Sequence, residues 1–172
     1  MPATNPAPQT RPPRHLTVIT GASRGLGQAM ARARLQAGHH LLVMARQPEP
    51  ALHAEAETLG APLGSWAVDL THPGPVAERL RAWLDSQPAT AFASATLINN
   101  AALIPRIGPL RDADADDLAQ ALRVGLEAPM LLTAAFLSAT RGWSGPRRLL
   151  NISSGLGRRA MAFAMHAGRW AD

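Results

Sequence analysis

The sequence predicts an α/β fold with a doubly wound parallel sheet. Short apolar runs alternate along the chain with longer segments of helical periodicity. A glycine-rich stretch stands between the first run and the first helical segment. With 172 residues, of which 47% are hydrophobic, the chain is long enough for one domain with a sizeable core. Strands that alternate with helices pack as a parallel sheet covered on both faces.

Five short apolar segments are predicted as strands. The first, HLTVIT, contains β-branched residues and stops at Gly21, as a buried strand does before a turn. HLLVMAR, SWAVDL and ATLINNA follow with the same short, mostly apolar character, and RRLLNISS is the last. In chain order the strands are expected at 15–20, 40–46, 65–70, 95–101 and 147–154.

Four intervening segments are predicted as helices. The first has apolar residues at helical spacing and Gly38 as its C-cap, and the second lies between Pro50 and Gly60. The last is long, has acids at its N-terminal end where the helix dipole favours them, and is expected to bend at Pro129. In chain order the helices are expected at 25–38, 50–60, 75–87 and 114–140.

Composition excludes several classes of protein. The chain has no Cys, which excludes a disulfide framework and thiolate metal ligands. Its 17 basic residues are all Arg and are scattered rather than clustered, which argues against nucleic-acid binding. We expect no membrane span, since no apolar run approaches the ~20 residues required. Residues 1–14 are Pro-rich and polar, so they predict a disordered leader rather than a secretion signal, and a cytoplasmic location.

The stretch TGASRGLG carries the first candidate chemistry. It places Gly21, Gly25 and Gly27 between a strand and a helix. Glycine allows a sharp turn and lets an anion approach the free N–H groups at the helix N-terminus. Glycines also serve ordinary tight turns, and the turn alone leaves both interpretations open.

Several motifs in order resemble the short-chain dehydrogenase/reductase family, from about His15 to Ser154. TGASRGLG has that family's glycine spacing, NNAA (99–102) resembles its N-N-A-G, and GLEAPMLLT and NISSG resemble two later segments. The resemblance implies a Rossmann-like fold and, for residues 15–172, a partial dinucleotide-binding domain. It implies that Asp69 contacts the adenine and that Ser154 is catalytic. It implies cofactor contacts by Gly21, Ser23, Arg24, Gly25, Leu26, Gly27, Asn99 and Ala101.

Charge favours NADP(H) as the cofactor. An acid at the end of the second strand would bind a ribose 2′-hydroxyl, whereas Arg would pair with a 2′-phosphate. This chain has Arg46 at that end and Arg24 inside the glycine turn. The alternative is that both are solvated surface arginines.

The family's catalytic pair is missing from the sequence. Members use a Tyr thirteen residues after the Ser and a Lys four residues further on, positions that hold Ala167 and Ala171 here. The chain has no Tyr and no Lys, and Gly125 stands where the family has an Asn. His166 is an alternative proton-transfer group, although a lone His is more often merely solvated. The other histidines show no metal-ligand spacing, so we assign no metal.

We therefore expect a family member that is incomplete at its C-terminus. The sequence ceases to resemble the family after about Met161, as a frameshift or premature stop would cause. An exposed edge at the fifth strand and low solubility are expected, and the family's homo-oligomer is doubtful. Three functions remain open: an NADP(H)-dependent oxidoreductase of carbonyls or alcohols, an inactive NADP-binding module, and a fragment without function.

Overall fold

Five parallel strands form one sheet in the order β3-β2-β1-β4-β5. The computed structural model describes residues 14–47 and 49–154. The strands are β1 (Arg14–Thr20), β2 (His40–Ala45), β3 (Leu63–Ala67), β4 (Phe92–Asn99) and β5 (Arg147–Asn151). The chain builds outward from β1 to β3 and then continues on the other side with β4 and β5. The strand order thus reverses between β1 and β4, where doubly wound sheets bind their ligands.

Helices cover both faces of the sheet, as the sequence predicts. Strand residues alternate between the faces, so Val18 packs with one cluster and Ile19 with the other. The Ile19 face is covered by α1 (Gly25–Gln36) and α2 (Pro50–Leu59), which bury Leu35 and Leu52. The Val18 face is covered by α3 (Pro73–Asp85), α4 (Ala115–Leu122) and α5 (Ala128–Ala139). A short 3-10 helix, Leu110–Asp112, precedes α4.

Strands β1 and β3 begin earlier in the structure than the sequence predicts. Arg14, which the sequence assigned to the leader, is the first residue of β1 and pairs with Phe92 of β4. β3 begins at Leu63 rather than residue 65, because Leu63 pairs with Leu41 of β2. The remaining residues of the predicted leader, 1–13, lie outside the described part of the chain.

Hydrogen bonds outside the sheet ladder end β3 and β4 earlier than predicted. The third strand stops at Ala67, and two residues later the Asp69 carboxylate accepts a hydrogen bond from the Thr71 amide, which turns the chain. The fourth spans Phe92–Asn99 instead of 95–101, since the next two amides turn toward Thr20. Of the other strands, β1 ends where predicted, whereas β2 and β5 end one and three residues earlier.

The long helix is interrupted by a π-helical turn, Arg123–Glu127, which joins α4 to α5. Pro129 follows in the first turn of α5. Proline has no N–H and its ring crowds the carbonyl four residues earlier, here that of Gly125, so regular α-helical bonding fails at this point. The expected irregularity at Pro129 is therefore found one turn before it.

The combined helix Ala115–Ala139 is long and apolar. By length and composition alone it could cross a membrane. Core helices of folded domains pass the same test, and here Ala128, Leu132 and Phe136 are fully buried against the sheet and α3. Its outer surface exposes Leu122, Leu126, Met130, Leu131 and Leu137.

The fifth strand forms an edge of the described sheet. It pairs with β4 only, and all five of its residues are exposed. Leu149, Leu150 and Ile152 are 38–42% exposed, as the sequence analysis expected for this edge. The low solubility inferred from that edge remains a prediction.

A cluster of histidines and hydroxyl groups lies on the Ile19 face, beside α1. His15 is hydrogen-bonded to Ser94 and, at 2.8 Å, to Thr96 Oγ1, and its ring lies 4.4 Å from that of His39. Burial, with the positive charge of His39, Arg148 and Arg34 nearby, lowers the pKa of His15 to about 4. Burial also lowers the pKa of His39 and of His40.

We expect this cluster to make folding sensitive to acid. Between pH 6.5 and about 4, the unfolded chain binds a proton at His15 that the folded chain does not, so the free energy of unfolding falls as the pH falls. The melting temperature, followed by tryptophan fluorescence, should drop across this window. His15→Gln should make the drop shallower, whereas His53→Gln, on α2, should leave it unchanged. Parallel pH profiles for wild type and His15→Gln would contradict the assignment.

Candidate functional site

A cleft of about 1090 Å³ opens along the carboxyl ends of β1 to β4. Its position is the one expected of ligand sites in doubly wound sheets. The lining residues come from the loops that follow these four strands and from the π-helical turn. They are Gly21, Ser23, Arg24, Gly25, Leu26, Gly27, Met44, Ala45, Arg46, Gln47, Val68, Asp69, Leu70, Thr71, Asn100, Ala101, Ala102, Leu103, Ile104 and Val124.

The glycine turn occupies the middle of the cleft. Gly21 has a φ of 70°, a conformation that strains other residues, and its amide donates to the Met44 carbonyl at 2.7 Å. A Cβ on Gly27 would collide with the Gly21 carbonyl oxygen and with the side-chain amide of Asn100. No side chain caps the N-terminus of α1, and its first turn holds no acid. The free amides of that turn are therefore available to an anion.

Two polar residues attach the glycine turn to the end of β4. The Thr20 hydroxyl accepts hydrogen bonds from the amides of Asn100 and Ala101, both at 3.0 Å. In return, the Asn100 side-chain amide donates to the carbonyls of Thr20 and Gly21, at 3.0 and 3.1 Å. The shape of the turn is thus fixed from the neighbouring strand.

Charged side chains lie at the β2–β3 end of the cleft. Arg46 is exposed there and Arg24 is exposed in the glycine turn, and within residues 14–47 and 49–154 neither guanidinium has a carboxylate within ion-pair distance. Asp69 lies at the same end. Hydrogen bonds from Thr71 hold the pKa of the Asp69 carboxyl below its usual value, and the charges of His72 and Arg46 add to the effect. The cleft therefore presents to a ligand one carboxylate and two guanidinium groups that have no ion-pair partner among the described residues.

Most of the residues that the sequence predicts for the cofactor line this one cleft. They are Gly21, Ser23, Arg24, Gly25, Leu26, Gly27, Arg46, Asp69 and Ala101. These residues, which are distant in sequence, lie together because the loops after β1, β2, β3 and β4 meet at one edge of the sheet.

Asn99 does not line the cleft, and its role as a cofactor contact remains a prediction. Its side chain is 4% exposed and donates to Asn151 Oδ1 at 2.8 Å and to Thr133 Oγ1 at 3.3 Å. The neighbouring Asn100 lines the cleft instead. Asn99 therefore joins β4 to β5 and α5. The presence of two consecutive Asn residues was the only feature of the sequence that could have indicated Asn100 as a cleft residue.

The predicted catalytic group stands apart from the cleft lining. Ser154 is exposed, three residues beyond the end of β5. Gly125 is also exposed, in the π-helical turn, and a Cβ there would meet open space. His166, Ala167 and Ala171 lie outside the described residues. Within the described part of the chain, no cluster of three His, Asp or Glu side chains could hold a metal.

Thr20, Thr71, Leu103 and Val124 were not predicted from the sequence. Thr20 precedes the first glycine, so its place in TGASRGLG was the available signal. Thr71 follows Asp69 in the Asp-x-Thr order that favours a side-chain-to-amide turn. Leu103 and Val124 are ordinary apolar residues, and nothing local distinguishes them from the core.

Comparisons with known proteins agree with this geometry. The chain is 31% identical over 140 residues to a benzil reductase ((S)-benzoin forming) from Bacillus subtilis, covering 81% of this chain and 55% of the relative. A short-chain dehydrogenase/reductase from Burkholderia vietnamiensis superposes with a TM-score of 0.79 at 31% identity, covering 91% of this chain and 71% of that one. A metagenomic short-chain oxidoreductase in complex with NADP gives 0.76 at 31% identity, covering 88% and 67%.

The match extends along most of the chain. The chain spans just over half the length of the Bacillus subtilis relative and of a second benzil reductase, from Bacillus cereus. The family model described as short chain dehydrogenase matches residues 15–166, which include every strand but the first residue of β1. With the parallel sheet and the glycine turn in the order described above, the chain belongs to the short-chain dehydrogenase family.

Proposed function

We propose that this chain binds NADP(H) in the cleft, as the cofactor-binding part of an oxidoreductase that acts on a carbonyl compound or an alcohol. The observation that carries the proposal is the pair of arginines, Arg24 and Arg46, which both line the cleft and form no ion pair within the described residues. A guanidinium gives a phosphate two parallel hydrogen bonds, so a 2′-phosphate satisfies both side chains. The NADP-bound metagenomic relative supports the same cofactor.

The rest of the cleft fits the other parts of a dinucleotide. The pyrophosphate would lie against the uncapped N-terminus of α1, where the amides after Gly25 are free. Gly27 lets α1 pack closely on the glycine turn, since a Cβ there would collide with the Gly21 carbonyl oxygen and the Asn100 side-chain amide. The Asp69 carboxylate, held by Thr71, is an acceptor for the amino group of the adenine.

We further propose that the 172-residue chain binds the cofactor without turning substrate over. The nicotinamide would supply or accept a hydride, and a side chain must then give or take the accompanying proton. Family members use a Tyr whose pKa a Lys lowers, and this sequence contains neither. The Ser154 hydroxyl would donate a hydrogen bond to the substrate carbonyl oxygen, but a serine hydroxyl is too weak an acid to protonate that oxygen near neutral pH.

Arg46→Ser tests the cofactor assignment. We expect wild type to bind NADPH more tightly than NADH, measured by nucleotide fluorescence, because only NADPH has a phosphate for the arginines. The variant should lose about tenfold in NADPH affinity, since it loses one charge-assisted pair, and should keep its NADH affinity.

Arg111→Ser is the matched control. Arg111 is 84% exposed, lies in the 3-10 helix and is not part of the cleft lining. Its substitution removes the same charge and should change neither affinity. Equal binding of NADPH and NADH by wild type would reject the 2′-phosphate site, and binding of neither nucleotide would favour a fragment without function.

A further inference from the structure

The chemical character of the cleft changes along the sheet edge. The charged residues of its lining, Arg24, Arg46 and Asp69, follow β1, β2 and β3. The lining that follows β4, and that of the π-helical turn, is apolar apart from Asn100: Ala101, Ala102, Leu103, Ile104 and Val124. A single ligand that fills the cleft therefore meets ionic groups at one end and hydrocarbon at the other.

The apolar end is a fixed surface. The segment after β4 is held at its start by the hydrogen bond from Ala101 N to Thr20, and further on by one from Arg106 N to Asp117 Oδ2 at 2.6 Å. Between these anchors Pro105 is buried, and Leu103 packs against the core. Ile104 is nevertheless 67% exposed at the cleft. Covering a water-exposed aliphatic side chain with an apolar ligand lowers the free energy of the complex, because apolar surface is removed from water.

This inference rests on the proposed function, because the orientation of the proposed cofactor decides which of its two nucleosides lies at the apolar end. With the 2′-phosphate at Arg46 and the pyrophosphate at the glycine turn, the second nucleoside extends towards β4. The substrate must lie against that nucleoside. We propose that the β4 end of the cleft takes an uncharged carbonyl compound with an apolar flank, and that Ile104 determines this specificity.

The competing assignment is an anionic substrate held by Arg106, which is exposed two residues after Ile104. The geometry favours the apolar substrate, because Ile104 lines the cleft and Arg106 does not. Benzophenone and its carboxylate derivative, 4-benzoylbenzoate, separate the two. Arg106 would tighten binding of the carboxylate, whereas Ile104 and Val124 would favour the neutral ketone.

The test is calorimetric titration of benzophenone into the full chain, with and without NADPH. Ile104→Ser should weaken ketone binding at least about fivefold, since the covered aliphatic surface is lost. Ile107→Ser is the matched control: Ile107 is 70% exposed in the same segment but does not line the cleft, so ketone binding should persist. NADPH affinity, titrated separately, should be the same in wild type and Ile107→Ser.

The two proposals fail in different ways. Equal ketone affinity in wild type, Ile104→Ser and Ile107→Ser, or tighter binding of 4-benzoylbenzoate than of benzophenone, would overturn the substrate assignment while leaving NADPH binding intact. If the wild-type chain does not bind NADPH, the proposed cofactor is overturned. The ketone titration without NADPH still tests the apolar end in that case, because its readout does not require the nucleotide.

Discussion

Gly27→Ala is expected to abolish measurable NADPH binding and to lower the free energy of unfolding by about 3 kcal/mol. The added methyl group would overlap the Gly21 carbonyl oxygen and the Asn100 side-chain amide, and would lie 2.9 Å from the Gly21 carbonyl carbon. Two of these three atoms are backbone, so relief requires the turn itself to move. That movement displaces the amides that face the pyrophosphate. Nucleotide fluorescence and urea unfolding measure the two effects.

Gly38→Ala separates this effect from the general cost of replacing a glycine. Gly38 has a φ of 76° at the end of α1, and a Cβ there would meet nothing within 4 Å. Its substitution should cost about 1 kcal/mol of stability through backbone strain and leave NADPH affinity unchanged. If Gly27→Ala bound NADPH as tightly as Gly38→Ala does, the close packing of the turn would have no role in binding.

Local patterns were sufficient to predict the fold, because each element has its own signal. The apolar run HLTVIT and the amphipathic segment that follows specify β1 and α1 without reference to the rest of the chain. Helix ends at Pro50 and Gly60 agree with the structure, since proline and glycine act through their own backbone. The strand order could be expected once alternation of strands and helices was recognised.

Predictions failed where a contact distant in sequence decides the structure. The end of β4 depends on Thr20, which lies 80 residues away from Asn100, and no local pattern reports that hydrogen bond. In a strand, successive side chains face opposite sides, so a difference of one residue decides which Asn reaches the cleft. The sequence resemblance pointed to Asn99, and the structure places Asn100 there. Ile104 could not be distinguished from a core residue, because its exposure at the cleft depends on contacts that are distant in sequence.

Thr20→Val is expected to lower the free energy of unfolding by about 2–6 kcal/mol and to weaken NADPH binding severalfold. Thr20 is 2% exposed, and its hydroxyl is the acceptor for both the Asn100 and Ala101 amides. Valine has nearly the same shape but accepts no hydrogen bond. Two amides at a largely water-excluded strand end would lose their partner, and each such loss costs about 1–3 kcal/mol. Urea unfolding and nucleotide fluorescence give the two values.

Two control substitutions, Thr20→Ser and Thr140→Val, show whether the Thr20→Val effect comes from the lost hydrogen-bond acceptor. Thr20→Ser keeps the acceptor and should restore NADPH affinity, although it loses the methyl group. Thr140→Val removes an equally buried hydroxyl, which donates to the Phe136 carbonyl, but that carbonyl still accepts from the Thr140 amide at 3.1 Å. Because no group is left unpaired, Thr140→Val should cost less than about 1 kcal/mol. Similar losses for Thr20→Val and Thr140→Val would mean that the Thr20 hydroxyl does not hold the glycine turn in place.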